Sequence, residues 1–506
     1  MAKAKTVAQD EKEPTPATPS MAWSGMAPKW DMIDTLLGGT LAMRAAGDRY
    51  LPQHPAETKE NYINRLHQCT LFNMTELTLD SLVGKPFSQS VKLEDDSPSN
   101  ILNMVDNIDM LGSNLSTFCR HWFREGLAKA FCHVLVDMPR ITPLDASRPR
   151  TLADDQIDAT RPYWVFIRPE NVIFAASTVI KGVEVLTHVR ISETVVERIG
   201  FGEVIRDRIR VLEPGFVWLY ELQEVNKKKV WVLIDQYEVD LKDVIPLVTF
   251  YSNRSGFMMG KPPLEDLAHL NIRHWQSTAD QINVMTVARF PMLAVAGATD
   301  ESGAQVVIGP RKLLGTKDAN GRFYYVEHSG KAIEAGRNDL KDLEQQMASY
   351  GAQFLRRAPG GQTATARALD SAEAMSPLQD AVIRFVDCVN KALAFTAAWF
   401  GQKESGKVII DTDFGPSEVN IAVLETLLAA RQNGDISRED FLKRLKEMGI
   451  LSEEFDSRVN LMRLMFEVVG AGLNPTLVNP DDIIMPTVIP DEPGIQDRTK
   501  AVLTVR

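Results

Sequence analysis

Apolar residues recur every three to four positions over two long stretches of the chain, and this period predicts two long helices. The first follows Gly260-Lys261, where Pro262-Pro263 suit a helix start because the first turn has no use for the missing N–H. From Leu264 to Phe290, Trp275, Thr278, Ile282 and Met285 fall at 3-4-3 spacing, and Pro291 stops the run. About 27 residues at ~1.5 Å each give roughly 40 Å, a length at which helices usually reach between domains. The second helix is expected from about Ile333 to Arg357, with Leu340, Leu343, Met347, Tyr350 and Phe354 forming a narrow seam like one face of a coiled coil. Between them lie three short strand patterns, Met292 to Ala296, Gln305 to Ile308 and Phe323 to Val326, and an Asp318-Ala319-Asn320-Gly321 turn suited to a hairpin. Together these predict a stalk of two antiparallel helices with a β module at its tip.

Upstream, residues 1 to about 30 are rich in Lys, Glu, Pro, Thr and Ala and poor in large apolar residues, so a disordered arm is expected, bounded at residue 40. Helical spacing runs from Trp30 to Phe87, through Met32, Leu36, Tyr62, Leu66 and Leu79, and halts at Gly84-Lys85-Pro86. A second helical stretch from Ile101 to Ala130 leads into an apolar strand, Phe131 to Val136, closed by Asp137-Met138-Pro139. Residues 163–255 then carry strand-like runs rich in β-branched and aromatic residues: Tyr163 to Ile167, Val172 to Phe174, Val183 to Ile191, Val217 to Leu222, Val230 to Ile234 and Leu247 to Tyr251. The fold class is therefore α+β.

Downstream of the second long helix comes a polar Gly/Thr-rich loop, Arg356 to Arg367, after which helix is expected to resume at Thr363 or Thr365. Ser376-Pro377 with Gln379 has the form of a capping box that restarts or kinks that helix, which continues through Leu378, Val382, Phe385, Val389 and Leu393 to Phe400. A strand at Val408 to Asp411 follows. The C-terminal helices are divided at Asn433-Gly434-Asp435-Ile436-Ser437 and Gly449-Ile450-Leu451-Ser452, each pairing a C-terminal Gly with a Ser cap. From about residue 472 a Pro- and Asp-rich extended tail is expected.

Charge and chemistry narrow the function classes. The chain has 506 residues, enough for two or more domains, and a net charge of −11 with both signs mixed along it, so it is no polycation that grips nucleic acid by counterion release. The four cysteines, Cys69, Cys119, Cys132 and Cys388, have neither CxxC spacing nor His partners and read as reduced core residues. Without a charged-then-apolar leader or a bilayer-length apolar run, a soluble cytosolic protein with no membrane partner is expected. No phosphate-binding GxxxxGK[ST], HExxH or GxSxG pattern occurs, and neither an enzyme nor a cofactor is expected. Asp411-Thr412-Asp413-Phe414-Gly415 holds a DxD pair but lacks the other parts of a kinase or metal site, and His269 and His274, five apart, do not share a helix face. Two basic groups stand out: Arg356, Arg357 and Arg367 around the loop, and Arg311, Lys312, Lys317 and Arg322 on the β module. Either set is a solvated face or a ligand site; in a ring of identical chains each Arg would become a circle of charge.

The order of these parts resembles the portal proteins of tailed bacteriophages, and several segments are similar to one portal subfamily built on an uncharacterised domain. These segments are Gly47 to Pro52, Tyr62 to Pro86, Pro263 to Asn271, Phe290 to Leu293, Tyr350 to Leu355, Gln362 to Ala366 and Asp413-Phe414. The resemblance spans about residues 40–470 and rests on order and spacing, no single motif being diagnostic. It implies a homo-oligomeric ring, usually a dodecamer, at one capsid vertex of a virion assembled in the host cytoplasm. Residues 41–255 would be an α/β wing, 256–290 and 331–356 a two-helix stem, and 291–330 a small β-containing clip. A tunnel loop at 357–366 would lead to a kinked helix and return to the wing at 367–420, a helical crown at 421–470 and a tail at 471–506. Double-stranded DNA would pass through the lumen, moved by the terminase. The clip, with Arg311, Lys312, Lys317 and Arg322, would meet the terminase and later the head-to-tail adaptor, and the ring would adjoin major capsid or scaffolding protein. Arg356, Arg357, Gly360, Gly361, Gln362, Thr363 and Arg367 would line the DNA channel, the glycines supplying backbone freedom as the DNA helix turns past. Two other readings stand beside this one: a different structural virion protein, such as a minor capsid or adaptor component, and a metal-dependent enzyme centred on Asp411 and Asp413.

Overall fold

The computed structural model describes residues 13–139, 160–289, 292–296, 322–326, 330–353, 376–410, 421–447, 450–451, 455 and 457–460. The chain forms two compact units, Met1–Asp413 and Phe414–Arg506. The first is mixed helix and sheet, in agreement with the α+β reading.

Its core is built on strand β2 (Phe131–Asp137), whose first six residues are all buried. β2 pairs antiparallel with β3 (Tyr163–Ile167) on one side and β9 (Leu247–Tyr251) on the other. Two helices cover this sheet, α6 (Leu115–Lys129) and α9 (Pro377–Trp399), and their aromatic residues interlock. Phe385 meets Trp122, Phe123 and Phe250 edge-on, with ring centroids 5.0 to 5.2 Å apart. Gly126 lets α6 approach β9 closely, since a Cβ there would stand 2.3 Å from the Phe250 ring. α9 is fastened at its far end by Trp164 Nε1 donating to Thr396 Oγ1 (2.9 Å) and Trp399 Nε1 to Val136 O (3.0 Å). Its start is the expected capping box: the Gln379 amide N–H donates to Ser376 Oγ, and Ser376 N–H to Gln379 Oε1. The expected strand at 408–411 is a short pairing of β14 (Val408–Ile409) with β1 (Lys92–Leu93).

A second sheet is a five-stranded antiparallel meander of β4 (Val172–Ile180), β5 (Val183–Ile199), β6 (Gly202–Glu213), β7 (Phe216–Val225) and β8 (Lys228–Glu238). The strands run longer than expected, and β6 lies where no strand is expected. Its Arg residues hide the alternation: Arg206 and Arg208 reach Glu197 (3.2 and 2.9 Å), Arg208 also Glu221 (2.9 Å), and Arg210 reaches Glu193 (2.7 Å) and Asp137 (2.9 Å). Cross-strand ion pairs thus occupy the half-buried positions that apolar residues fill elsewhere. The Ile101 to Ala130 stretch is also two helices, α5 (Ser99–Leu102) and α6, because Asn107 and Asp109 bind the backbone N–H groups of a turn at Leu111 to Ser113, and Asn114 caps α6.

The largest departure is at the N-terminus, where the expected disordered arm over residues 1–40 contains helix α1 (Met21–Leu37). Ser20 caps it, and Met26, Trp30, Ile33 and Leu36 form a buried stripe that the flanking small and polar residues obscure. The α1 side chain Asp34 meets Lys129, which is fully buried, at 2.8 Å; Glu170 Oε1 (2.8 Å) and Glu125 (3.5 Å) complete the surround of its ammonium. Arg168 joins Asp34 and Glu170 from the solvent side, each at 2.9 Å. A buried ammonium is tolerable only with such partners, so α1 is bound to the sheet body by electrostatic need as well as by Trp30 packing. In the second unit, α10 (Ile421–Asn433) and α11 (Arg438–Glu447) are joined by the expected Gly/Ser break, with Gly434 at φ 85° and Ser437 Oγ accepting from Asp440 N–H.

All three cysteines of the core, Cys69, Cys119 and Cys132, are buried free thiols, and Cys388 is half-buried. His133, on β2, is also fully buried, and loss of water holds its pKa down at about 3 against an ordinary 6.5. Below pH ~6.5 the unfolded chain takes up a proton that the folded chain refuses, so stability falls as pH drops from about 6.5 toward 3, by about 1.4 kcal/mol per pH unit for this group. Urea unfolding at pH 7, 6 and 5 should therefore show a steeper acid loss in the native sequence than in His133→Gln. Equal slopes would place that proton uptake elsewhere.

Candidate functional site: the paired helices and their hairpin

The two long helices are α7 (Glu265–Ala288) and α8 (Lys331–Gln353), slightly shorter than expected. They pack antiparallel: Asp266 accepts from the Tyr350 hydroxyl (3.0 Å), Asp339 accepts from Ser277 Oγ (2.8 Å), and Gln281 Nε2 donates to Ile333 O (2.9 Å). Numbers fall along α8 as they rise along α7. The strands β12 (Met292–Ala296) and β13 (Arg322–Val326) keep that sense, pairing Met292 with Val326 and Ala296 with Arg322. One antiparallel hairpin is thus helical at its base and extended farther out.

Gly336 leaves room for the Gln281 side chain; a Cβ on Gly336 would fall 2.1 Å from Gln281 Oε1. On α8 the described part of the expected seam is present: Leu343 and Met347 are buried, and Leu340 and Tyr350 half-buried, while Phe354 lies outside the described residues. Burial, then the Asp266 hydrogen bond, pushes the Tyr350 hydroxyl up to about 12, so it stays a donor across the ordinary pH range. Asp266 is held below the usual carboxylate range by hydrogen bonds from Lys261 and Tyr350.

On α7 the fully buried stripe is Leu267, Ala268, Asn271, Trp275 and Ala279, continued by Leu264 just ahead of the helix, whereas Thr278, Ile282 and Met285 of the expected seam are only half-buried. The reason is that α7 is embedded in the helical body, so its deepest face lies toward the N-terminal helices rather than α8. Asn271, with zero exposure, joins α7 to α4 (Met74–Gly84): its Oδ1 accepts from Thr75 N–H (3.0 Å) and Thr75 Oγ1 (3.1 Å), and its Nδ2 donates to Phe72 O (2.9 Å). Cys69 Sγ donates to Trp275 O (3.4 Å) and Gln276 Nε2 to Tyr50 O (3.0 Å). Arg65, in α3 (Lys59–Gln68), holds Glu57 through two bonds (2.9 and 2.8 Å) and reaches Asp280 (3.2 Å), which His54 also meets at 3.1 Å. Within the expected two-helix stalk, α7 is therefore packed on the body through position 286, where Thr286 Oγ1 meets Gln68 (3.4 Å).

Of the sequence-singled residues, Arg322 is placed: it is exposed, at the start of β13 opposite Ala296. Arg311, Lys312, Lys317, Arg356, Arg357, Gly360, Gly361, Gln362, Thr363 and Arg367 lie outside the described residues, as do Asp411 and Asp413. His274 is buried with Nε2 3.5 Å from Glu344, while His269 is exposed, so the two do not meet. Among the described residues no cluster of His, Cys, Asp and Glu could hold a metal ion, and no helix is long and apolar enough to cross a membrane. The residues missed in the sequence are the polar anchors Asn271, Gln281 and Asp339. Asn271 carries a visible signal, an amide at the centre of an apolar 3-4 stripe.

A family described as a domain of unknown function (DUF4055) matches residues 263–400, which contain the helix pair, the hairpin and α9. No curated protein matches. Among solved structures, a chain from the virion of the native gene transfer agent particle is 11% identical with a TM-score of 0.36, covering 81% of this chain and 98% of that one. A chain from the neck of the empty particle, in C6 symmetry, is 12% identical (TM-score 0.37; 74% and 90% covered). One from the native neck, in C12 symmetry, is also 12% identical (TM-score 0.36; 82% and 99% covered).

Removing the Asn271 amide strands the buried Thr75 N–H and takes from the Phe72 carbonyl one of its two hydrogen bonds, leaving that from Met74 N–H. We expect Asn271→Ala to cost about 2–4 kcal/mol in chemical unfolding, the range for orphaned buried hydrogen-bonding groups plus a lost bond. A change under ~0.5 kcal/mol, the scatter of surface substitutions, would contradict the anchoring role.

Proposed function

We propose that this chain is a structural protein of a tailed-phage-like virion, and within that class a portal: a ring of identical subunits that forms the DNA channel and the docking site for terminase and head-to-tail adaptor. The observation that carries this reading is the hairpin of α7, β12, β13 and α8, helical at its base and extended beyond, held in one antiparallel sense between an α+β body and the capped helix α9. That is the order the portal resemblance calls for, with stem, clip and return helix in sequence. Embedding of α7 in the body is consistent with a stem that carries load from the wing. The net charge of −11 suits a channel for a polyanion, which must pass DNA without trapping it. In this reading the chain does no chemistry; ATP hydrolysis belongs to the terminase, and the chain works by geometry and charge.

Native mass spectrometry and negative-stain images of the purified protein test the ring. The expected result is a closed ring of 56.4 kDa subunits with an axial hole; a monomer at every concentration, with and without scaffolding protein, would overturn the proposal. A second experiment addresses the loop. Arg356→Ala with Arg357→Ala should leave rings intact and lower DNA packaging or retention at least severalfold, and unchanged packaging would remove these arginines from the channel.

A further inference from the structure

Ahead of α1 the chain reads Glu13-Pro14-Thr15-Pro16-Ala17-Thr18-Pro19-Ser20. Thr18 N–H donates to Thr15 O (2.9 Å) and Thr15 N–H to Thr18 Oγ1 (2.8 Å), closing a turn with Pro16 at its second position, where the ring's fixed φ fits. Three prolines deprive the segment of the N–H groups that a strand needs, and its carbonyls are left to be read from outside.

The face of the five-stranded sheet reads them. Arg190, on β5, donates from Nη1 to Thr15 O (3.2 Å) and Pro16 O (3.1 Å), while its guanidinium lies 4.0 Å over the Phe174 ring. Ile173, Ile209 and Val211 pack with Ala17 and Trp23 and with the aromatic side chains Trp218, Tyr220 and Trp231. A cleft of about 380 Å³ separates Pro14 and Pro16 from Trp218, Tyr220 and the His188–Glu213 pair. The contact ends where Ser20 N–H donates to Ile173 O (2.8 Å) and Ser20 Oγ caps α1. An aromatic wall facing prolines across a cleft, with a fixed donor for main-chain carbonyls, supplies the elements of proline-peptide recognition.

We propose that the sheet face around Arg190 and Trp218 is a receptor for a proline-turn peptide, filled here by the chain's own residues 13–20 and able to take the same segment from a second copy. Docking the turn fixes the start of α1. At the middle of α1, Lys29 meets Glu265 at the start of α7 (3.0 Å), so occupancy of the receptor is coupled to the seating of the helix pair.

The test uses the full chain carrying Pro14→Ser, Pro16→Ser and Pro19→Ser, which vacates the receptor, and a fluorescent peptide of sequence Glu-Pro-Thr-Pro-Ala-Thr-Pro-Ser. Fluorescence anisotropy should show saturable binding to this variant, at least tenfold weaker binding to the unaltered chain, and none when Arg190→Ala is added. No binding to the triple variant, or equal binding with Arg190→Ala, would overturn the proposal. A second measurement needs no vacated receptor: a post-proline endoprotease should trim the N-terminus of Arg190→Ala at least tenfold faster than that of the unaltered chain, and equal rates would count against it.

Discussion

The amide of Asn271 is the constraint on which the hairpin depends. It sits at zero exposure in a helix otherwise apolar on that face, and it binds a backbone donor and a backbone acceptor of a segment nearly 200 positions away in the chain. An amide buried that deeply is stable only while every partner is in place, so it fixes the rotation of α7 about its own axis and its height against α4 together. A leucine in its place would hold the helix by area alone and allow it to slide. The Arg65 clasp on Glu57 and Asp280 adds a second fixed point at about one and a half turns' distance beyond Trp275 along the same helix. With α7 located this way, α8 finds its place through the narrow seam of Leu343 and Met347 and a set of polar contacts that includes those of Tyr350, Asp339 and Gln281.

Much of this could be read in the sequence where local chemistry and tertiary demand agree. The period of α8, the prolines at the start of α7, the Ser376–Gln379 box and the Gly434–Ser437 break all act within a few residues, and all are found as expected. What was illegible is what long-range partners decide. Nothing near Lys129 announces that Asp34 and Glu170 will enclose it, and α1 looks too polar to order until that need is known. β6 looks charged rather than pleated because its arginines are matched to glutamates on neighbouring strands, not on its own. Of the α7 seam, Trp275 is fully buried and Thr278, Ile282 and Met285 only half-buried, because periodicity says that a helix has a buried face and is silent on which neighbour takes it. Of the candidate site, the scaffold was legible, and of its basic residues only Arg322 has a described position.

Charge in this molecule does two different jobs. Inside, Lys129, Arg65 and Arg210 sit among carboxylates that are fixed by the fold, so each cation locates two or three elements at once. On α8, Lys331, Glu334, Arg337, Lys341 and Asp342 are exposed and of mixed sign, an arrangement that favours solubility and offers no strong field to a partner. A protein built this way spends its directional electrostatics on its own geometry.

The hairpin that turns from helix to strand also has a consequence for assembly in time. Its partners at the strands are 26 to 34 positions apart, those between the helices 52 to 84, and those joining α7 to α4 196. Loop closure grows costlier with separation, so the hairpin can close on itself as a local unit before the chain has found the N-terminal helices. The segment matched by the family, residues 263–400, would then be able to pre-form and be received by a body that completes itself around it.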